Sequence, residues 1–299
     1  MKPNQYKAIL LLLLCPLLLL AGCSKRSDQV LKLGLDNTAE EAIIGSILQK
    51  LIEEHTDITL DVTSDLSGGE TVLHPAITSG EIDLYPEYTG TAWLAILKRT
   101  DIPDRETLQS ELFEAYEQDY QLEWVGLYGF NNSYGIAVAE EIADEYHLET
   151  YSDLAAVSQN LTFGAEPGFF EREDGYNGLA KTYGFQFKKT SDITFSLKYD
   201  AISQKTVDVI NIFTTDGRLT DSGVKVLVDD KGYFPEYRCG TVIRQDALEK
   251  FPGLRDTLML MDGLISDTDM SKMNYQVEVE GKEPEAVAEA FLQEKGLLQ

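Results

Sequence analysis

The sequence predicts an α/β protein organised as two lobes, and three observations lead there. Strand-like and helix-like segments alternate along most of the chain. The length left after an export signal is enough for two cores. No Pro/Gly/Ser-rich linker separates one half from the other. Alternation at this spacing argues for helices layered on largely parallel sheets. The absence of a linker favours two lobes joined by short crossing strands over two independent beads.

The elements follow in order. Residues 1–22 read as a secretory signal, with Lys2 and Lys7 before an almost wholly apolar run from Ala8 to Leu20. That run is too short and too soon ended to span a membrane as a mature helix. It closes in Leu20-Ala21-Gly22-Cys23, the pattern of a bacterial lipobox, so cleavage before Cys23 and lipidation of that cysteine are expected. Residues 23–29 form a polar tether. Val30 to Leu35 alternates as a strand. Asn37 and Thr38 are candidate caps for a helix whose apolar face is Ile43, Ile44, Ile47, Leu48 and Leu51. "ITLDVTSD" gives the next strand, and "SGGE" opens a second helix. "GEIDLYPEYTGTAWLAIL" then turns from a strand into a helix near Thr89. Helix is expected over 106–119 and strands over 122–128 and 134–138. A middle β/α series includes "LTFGAEPG", "DITFSLKYDAISQ" and "VDVINIFTTDG". The last helix has Pro284 in its first turn, Gly296 as its stop, and Val287, Ala290 and Phe291 as its expected buried face.

Removing 22 residues from 299 leaves 277, and losing Lys2 and Lys7 takes the formal charge from −26 to −28. So acidic a body repels phosphate backbones, which argues against nucleic acid as a partner. With Cys15 removed and Cys23 lipidated, Cys239 is the single remaining thiol, so no internal disulfide can form. The chain contains no phosphate-binding loop ending in Lys-Ser/Thr, no G-x-S-x-G and no H-E-x-x-H. His55, His74 and His147 lack metal-ligand spacing. Cys239 reads as a packed residue, and neither catalysis, a metal nor a cofactor is expected.

The informative stretch is the corner at Tyr85 to Thr91. Open α/β sheets bind ligands at such strand-to-helix corners. A tyrosine there offers an aromatic face beside helix N–H groups that favour anions. Together with "NNSYGIAV", "FFEREDGYNGLAKTYG", "KYDAIS", "FTTDGRL", "YFPEYRCG" and "NYQVEVEGKEPEAVAEAFLQEKGLL", this stretch resembles the solute-binding lipoproteins of osmoprotectant ABC importers. These capture glycine betaine, choline, carnitine and related quaternary ammonium compounds. The motifs run from about Val30 to the C-terminus.

The resemblance implies a two-lobed periplasmic-binding-protein type II fold, with ligand in the interlobe cleft. Lobe one would comprise 30–132 and 239–299, and lobe two 133–238. It implies an aromatic cage of Tyr88, Tyr134 and Tyr237, with Phe213 where many relatives carry tyrosine. A trimethylammonium group has a full charge and no N–H, so desolvated ring faces are what can hold it. Thr91 matches a position that contacts a ligand carboxylate, and Arg172 one that reaches the carboxylate in some relatives, with a surface ion pair to its neighbours Glu171, Glu173 and Asp174 as the other reading. Tyr85 and Tyr199 fall in supporting positions. Asp36 departs from the pattern, since relatives often place a neutral or basic residue there. An acidic group there weakens the case for glycine betaine and favours choline or a less usual ligand, with a capping role alone as the other reading of Asp36. The implied partners are an ABC permease with its cytoplasmic ATPase, and the membrane through lipid on Cys23, for a monomeric extracytoplasmic protein. Two alternatives stand beside import of such osmoprotectants: capture of another trimethylammonium solute such as ergothioneine, and a sensory receptor of the same fold.

Overall fold

The computed structural model describes residues 29–298 save 65, 67 and 173. The export segment, the lipobox and Cys23 lie outside the described residues. Among the described residues ten strands form two five-stranded sheets. β1 (Val30–Gly34), β2 (Thr59–Thr63), β3 (Leu84–Tyr88), β4 (Leu122–Asn131) and β10 (Arg238–Arg244) make the first, in the order β2-β1-β3-β10-β4. β5 (Tyr134–Ala139), β6 (Thr162–Ala165), β7 (Lys189–Asp192), β8 (Val209–Phe213) and β9 (Val224–Val226) make the second, in the order β7-β6-β8-β5-β9.

The two sheets share a plan. Each is parallel except for one reversed strand, β10 in the first and β5 in the second. Those are the strands the chain enters on passing from one sheet to the other. The two passages lie side by side, with Asn132 N–H donating to the Tyr237 carbonyl at 3.0 Å and Tyr237 N–H to Asn131 Oδ1 at 2.7 Å.

Four helices position the site: α1 (Ala39–His55), α2 (Glu70–Ser79), α3 (Asp267–Glu278) and α4 (Pro284–Glu294). Thr38 caps α1, its hydroxyl accepting from Glu41 N–H at 3.1 Å, and Glu40 and Glu41 stand in the first turn. Acidic side chains there suit the positive end of the helix. Ile43, Ile44, Ile47, Leu48 and Leu51 are all buried and pack with β1, β10 and α4. Each contributes about 1.5–3 kcal/mol of burial. The opposite face of this sheet is filled by Trp93, Tyr116, Leu122 and Val242. Strand alternation explains the split, since Val242 and its neighbour Ile243 enter different cores. In α4 the buried residues are Val287, Ala288, Phe291 and Leu292, while Ala290 is exposed. That corrects the expected face: the i, i+1, i+4, i+5 stripe turns away from Ala290.

Candidate functional site

The corner anticipated from sequence is built as follows. β3 is buried along Leu84 to Glu87 and ends at half-buried Tyr88. A single helical turn, Thr89–Thr91, runs into a π-helical stretch, Ala92–Ile96. Such bulges re-aim side chains and recur at functional sites. Gly90 lets Tyr237 approach. A Cβ at that position would meet the Tyr237 ring at 2.7 and 2.8 Å and the Glu236 carbonyl at 2.9 Å. Gly90→Ala is therefore expected to displace the ring and lower affinity about tenfold, with titration calorimetry as the check.

A cavity of about 590 Å³ is lined from both sheets. Asp36, Tyr88, Thr91, Tyr134, Phe213 and Tyr237 all line it, so six of the seven residues singled out for ligand contact converge on one space. Tyr134 is the centre of the ring set. Its centroid lies 4.7 Å from Phe213, 5.1 Å from Phe169, 5.8 Å from Phe234 and 5.8 Å from Tyr237, the last edge-on. These spacings are those of aromatic pairs that stabilise each other.

Arg172 is the exception, standing outside the lining. Its Nε lies 2.7 Å from Asp174 Oδ1 and its Nη1 3.5 Å from Glu70 Oε1, with the guanidinium 5.6 Å from the Tyr134 centroid. Asp174 also accepts from the Tyr237 hydroxyl. Arg172 thus braces Tyr134 directly, over its ring, and Tyr237 through Asp174. Lys198 does the same for Phe213. Its ammonium is fully buried, 5.3 Å from that ring, 3.6 Å from Asp216 and 3.7 Å from Glu166. Tyr199 donates to Asp216 at 2.6 Å, and Tyr85 to Glu87 at 2.9 Å.

Sequence reasoning missed the residue that joins the parts. Glu40 is buried and accepts four hydrogen bonds: Tyr88 hydroxyl 2.6 Å, Thr215 hydroxyl 2.7 Å, Asn132 amide 2.8 Å and Asn274 amide 2.9 Å. Burial raises its affinity for a proton, and the four donors oppose that. Glu41, Glu87 and Glu278 also line the cavity. Burial pushes Glu41 well up. It takes Glu87 to about 8 against hydrogen bonds from Tyr88 N–H and Tyr85, and Glu278 to about 7 with the Asp216 charge adding to it. Burial likewise pushes the Cys239 thiol well up, which leaves it a packed side chain.

Carboxyls whose folded pKa lies above the ordinary 4.5 contribute fully below that pH and lose the contribution as pH rises through 7 and 8. Stability of the ligand-free protein should therefore fall between pH 5 and pH 8. Glu87→Gln should flatten that slope, as read by denaturant titrations across the range. A steeper slope in the variant would contradict the assignment.

Comparison with known proteins agrees with this architecture. The family model described as the substrate-binding domain of ABC-type glycine betaine transport systems matches residues 29–294. The chain is 41% identical over 290 residues to the ergothioneine transport permease/ergothioneine binding protein EgtU of Helicobacter pylori, covering 96% of this chain and 52% of that one. It thus spans about half the length of that relative. It is 34% identical over 300 residues to the carnitine transport binding protein OpuCC of Listeria monocytogenes, covering 98% of this chain and 97% of that one. Among solved structures, a glycine betaine/carnitine/choline ABC transporter superposes with a TM-score of 0.79 at 34% identity, over 90% of this chain and all of that one. The chain belongs to the family of substrate-binding domains of ABC-type glycine betaine transport systems.

Proposed function

We propose that the cavity captures a small solute carrying a quaternary ammonium group and that the loaded protein delivers it to an ABC permease. The observation that carries this is the convergence of Tyr88, Tyr134, Phe213 and Tyr237 on one cavity whose wall is otherwise rich in carboxylates. Ring faces attract a cation through their quadrupoles, by about 0.5–2 kcal/mol each and more when dry. As Glu278 and Glu87 ionise on passing about pH 7 and about pH 8, they add a negative field that does not require an N–H on the ligand. Thr91 and Asp36 are read as polar contacts at the ligand's other end. Arg172 is read as a brace for the rings.

In this reading residues 30–132 with 239–299, and 133–238, act as two lobes hinged at the paired passages beside Asn131 and Tyr237. Closure over the solute is a hinge motion that sequesters it from water. The protein works outside the cytoplasmic membrane, tethered by lipid on Cys23, and binds without transforming its ligand. A thermal-shift panel of choline, carnitine, glycine betaine, proline betaine and ergothioneine tests the class. At least one is expected to raise the melting temperature, and indifference to all five would reject the reading. The Helicobacter relative favours ergothioneine as the second reading within the class.

A further inference from the structure

One aromatic ring of the cavity wall stands apart from Tyr88, Tyr134, Phe213 and Tyr237. Phe195 lies on the short 3₁₀ turn Phe195–Leu197, which runs into the helix Lys198–Ser203, and it lines the same cavity. It is 38% exposed, and among the described residues none of the other exposed large apolar side chains lines that cavity. Its centroid lies 5.8 Å from that of Phe213, so it extends the ring set toward solvent.

Burial alone does not hold a ring so exposed. The Lys198 ammonium sits over it, 4.2 Å from the centroid, and lies 5.3 Å from the Phe213 centroid as well. That ammonium is fully buried and has no hydrogen-bond partner among the described residues. Asp216 and Glu166, at 3.6 and 3.7 Å, are too distant to accept from it directly. An ammonium buried in this way is costly, and a ring face against it offsets part of that cost. Lys198 and Phe195 therefore hold each other at the edge of the cavity.

We propose that Phe195 is a further ligand-contacting residue, a fifth ring that covers the ammonium group from the solvent side and raises affinity through its π face. The inference rests on the reading of the rings as a cation cage and adds a member to it. The solute cation meets the face opposite Lys198. Two carboxylates beside the lysine offset its charge toward a cation across the ring. A cation–π contact strengthens as water is excluded, so a ring at the rim acts both as partner to the charge and as cover over the other rings.

The test compares Phe195→Leu, Phe195→Ala and Phe195→Trp in the intact protein. Each is titrated calorimetrically with whichever of choline, carnitine, glycine betaine, proline betaine and ergothioneine binds the wild type most tightly. Leucine keeps an apolar cover and discards the π face. Phe195→Leu and Phe195→Ala are both expected to weaken binding about fivefold, and Phe195→Trp to keep it within about twofold. The exposure of the ring means that all three should melt near the wild type without ligand. If the Leu and Ala variants do not fold, fluorescence decides: emission of Phe195→Trp, less that of the wild type, should change on saturation with the solute. Wild-type affinity in Phe195→Leu, or a Phe195→Trp emission that ignores the solute, would overturn the proposal and leave the cage intact. If none of the solutes binds the wild type, the cage reading falls and the proposal with it.

Discussion

Tyr134→Ala is expected to weaken binding of a quaternary ammonium solute by at least about tenfold, and Tyr134→Phe by no more than about threefold. Tyr134 touches four other rings, so truncation removes one aromatic face and the support that holds Phe213 and Tyr237 in place. The Phe variant keeps the ring and discards only the hydroxyl. Truncation also opens a gap in a packed cluster and is expected to cost about 3 kcal/mol of stability. Affinity must therefore be compared under conditions where both proteins are folded. A variant that melts earlier yet binds normally would make Tyr134 a core residue and nothing more.

Glu40→Leu is the second substitution with a large expected effect. It strands the Tyr88 and Thr215 hydroxyls and the Asn132 and Asn274 amides at once. Losing one partner of a buried network costs on the order of 3–5 kcal/mol. Because Thr215 follows β8 in the second sheet while Tyr88 ends β3 in the first, the loss should fall on the fold and, in the hinge reading proposed above, on the closed arrangement of the lobes as well. Glu40→Gln keeps two acceptor lone pairs and should lose less. Denaturant titration gives the stability term. Small-angle scattering of the folded variant gives the closure term, with a larger radius expected than for the wild type. Unchanged stability in Glu40→Leu would show that the four donors find other partners.

The contrast between those two residues shows what the sequence made legible. Tyr88 sits at the end of an alternating strand before a helical turn, a local pattern that points to a ligand corner. Tyr134 and Phe213 open and close paired strands and face each other across the β5–β8 ladder. Their convergence was an expectation carried by the family motifs. Glu40 had no such signal. Its partners lie 48, 92, 175 and 234 residues away, and nothing in a helix's first turn distinguishes a buried carboxylate from a solvated one. The usual reading of Glu40 and Glu41 is a pair of acids favouring a helix N-terminus. That is true of their positions, but tertiary packing encloses them.

Two smaller misses have the same origin. Strand periodicity fixes which face a residue takes, and says nothing of strand direction, so the reversed strands β5 and β10 were not foreseen within largely parallel sheets. The π-helical stretch after Thr91 contains Trp93, fully buried with its indole N–H donating to the Asp101 carbonyl at 2.6 Å. Strand direction is decided by contacts across the fold, and the π-helical stretch is accompanied by a contact eight residues on that strand and helix periodicity do not report.

The central claim is that the rings grip a permanent positive charge and not simply a bulky apolar head. Choline and 3,3-dimethyl-1-butanol share size and hydroxyl and differ in that one carries N⁺ where the other has carbon. Titration of the protein with each, at equal pH and salt, should show choline binding at least about a hundredfold tighter. Equal affinities for the two, or the neutral compound binding better, would contradict the account.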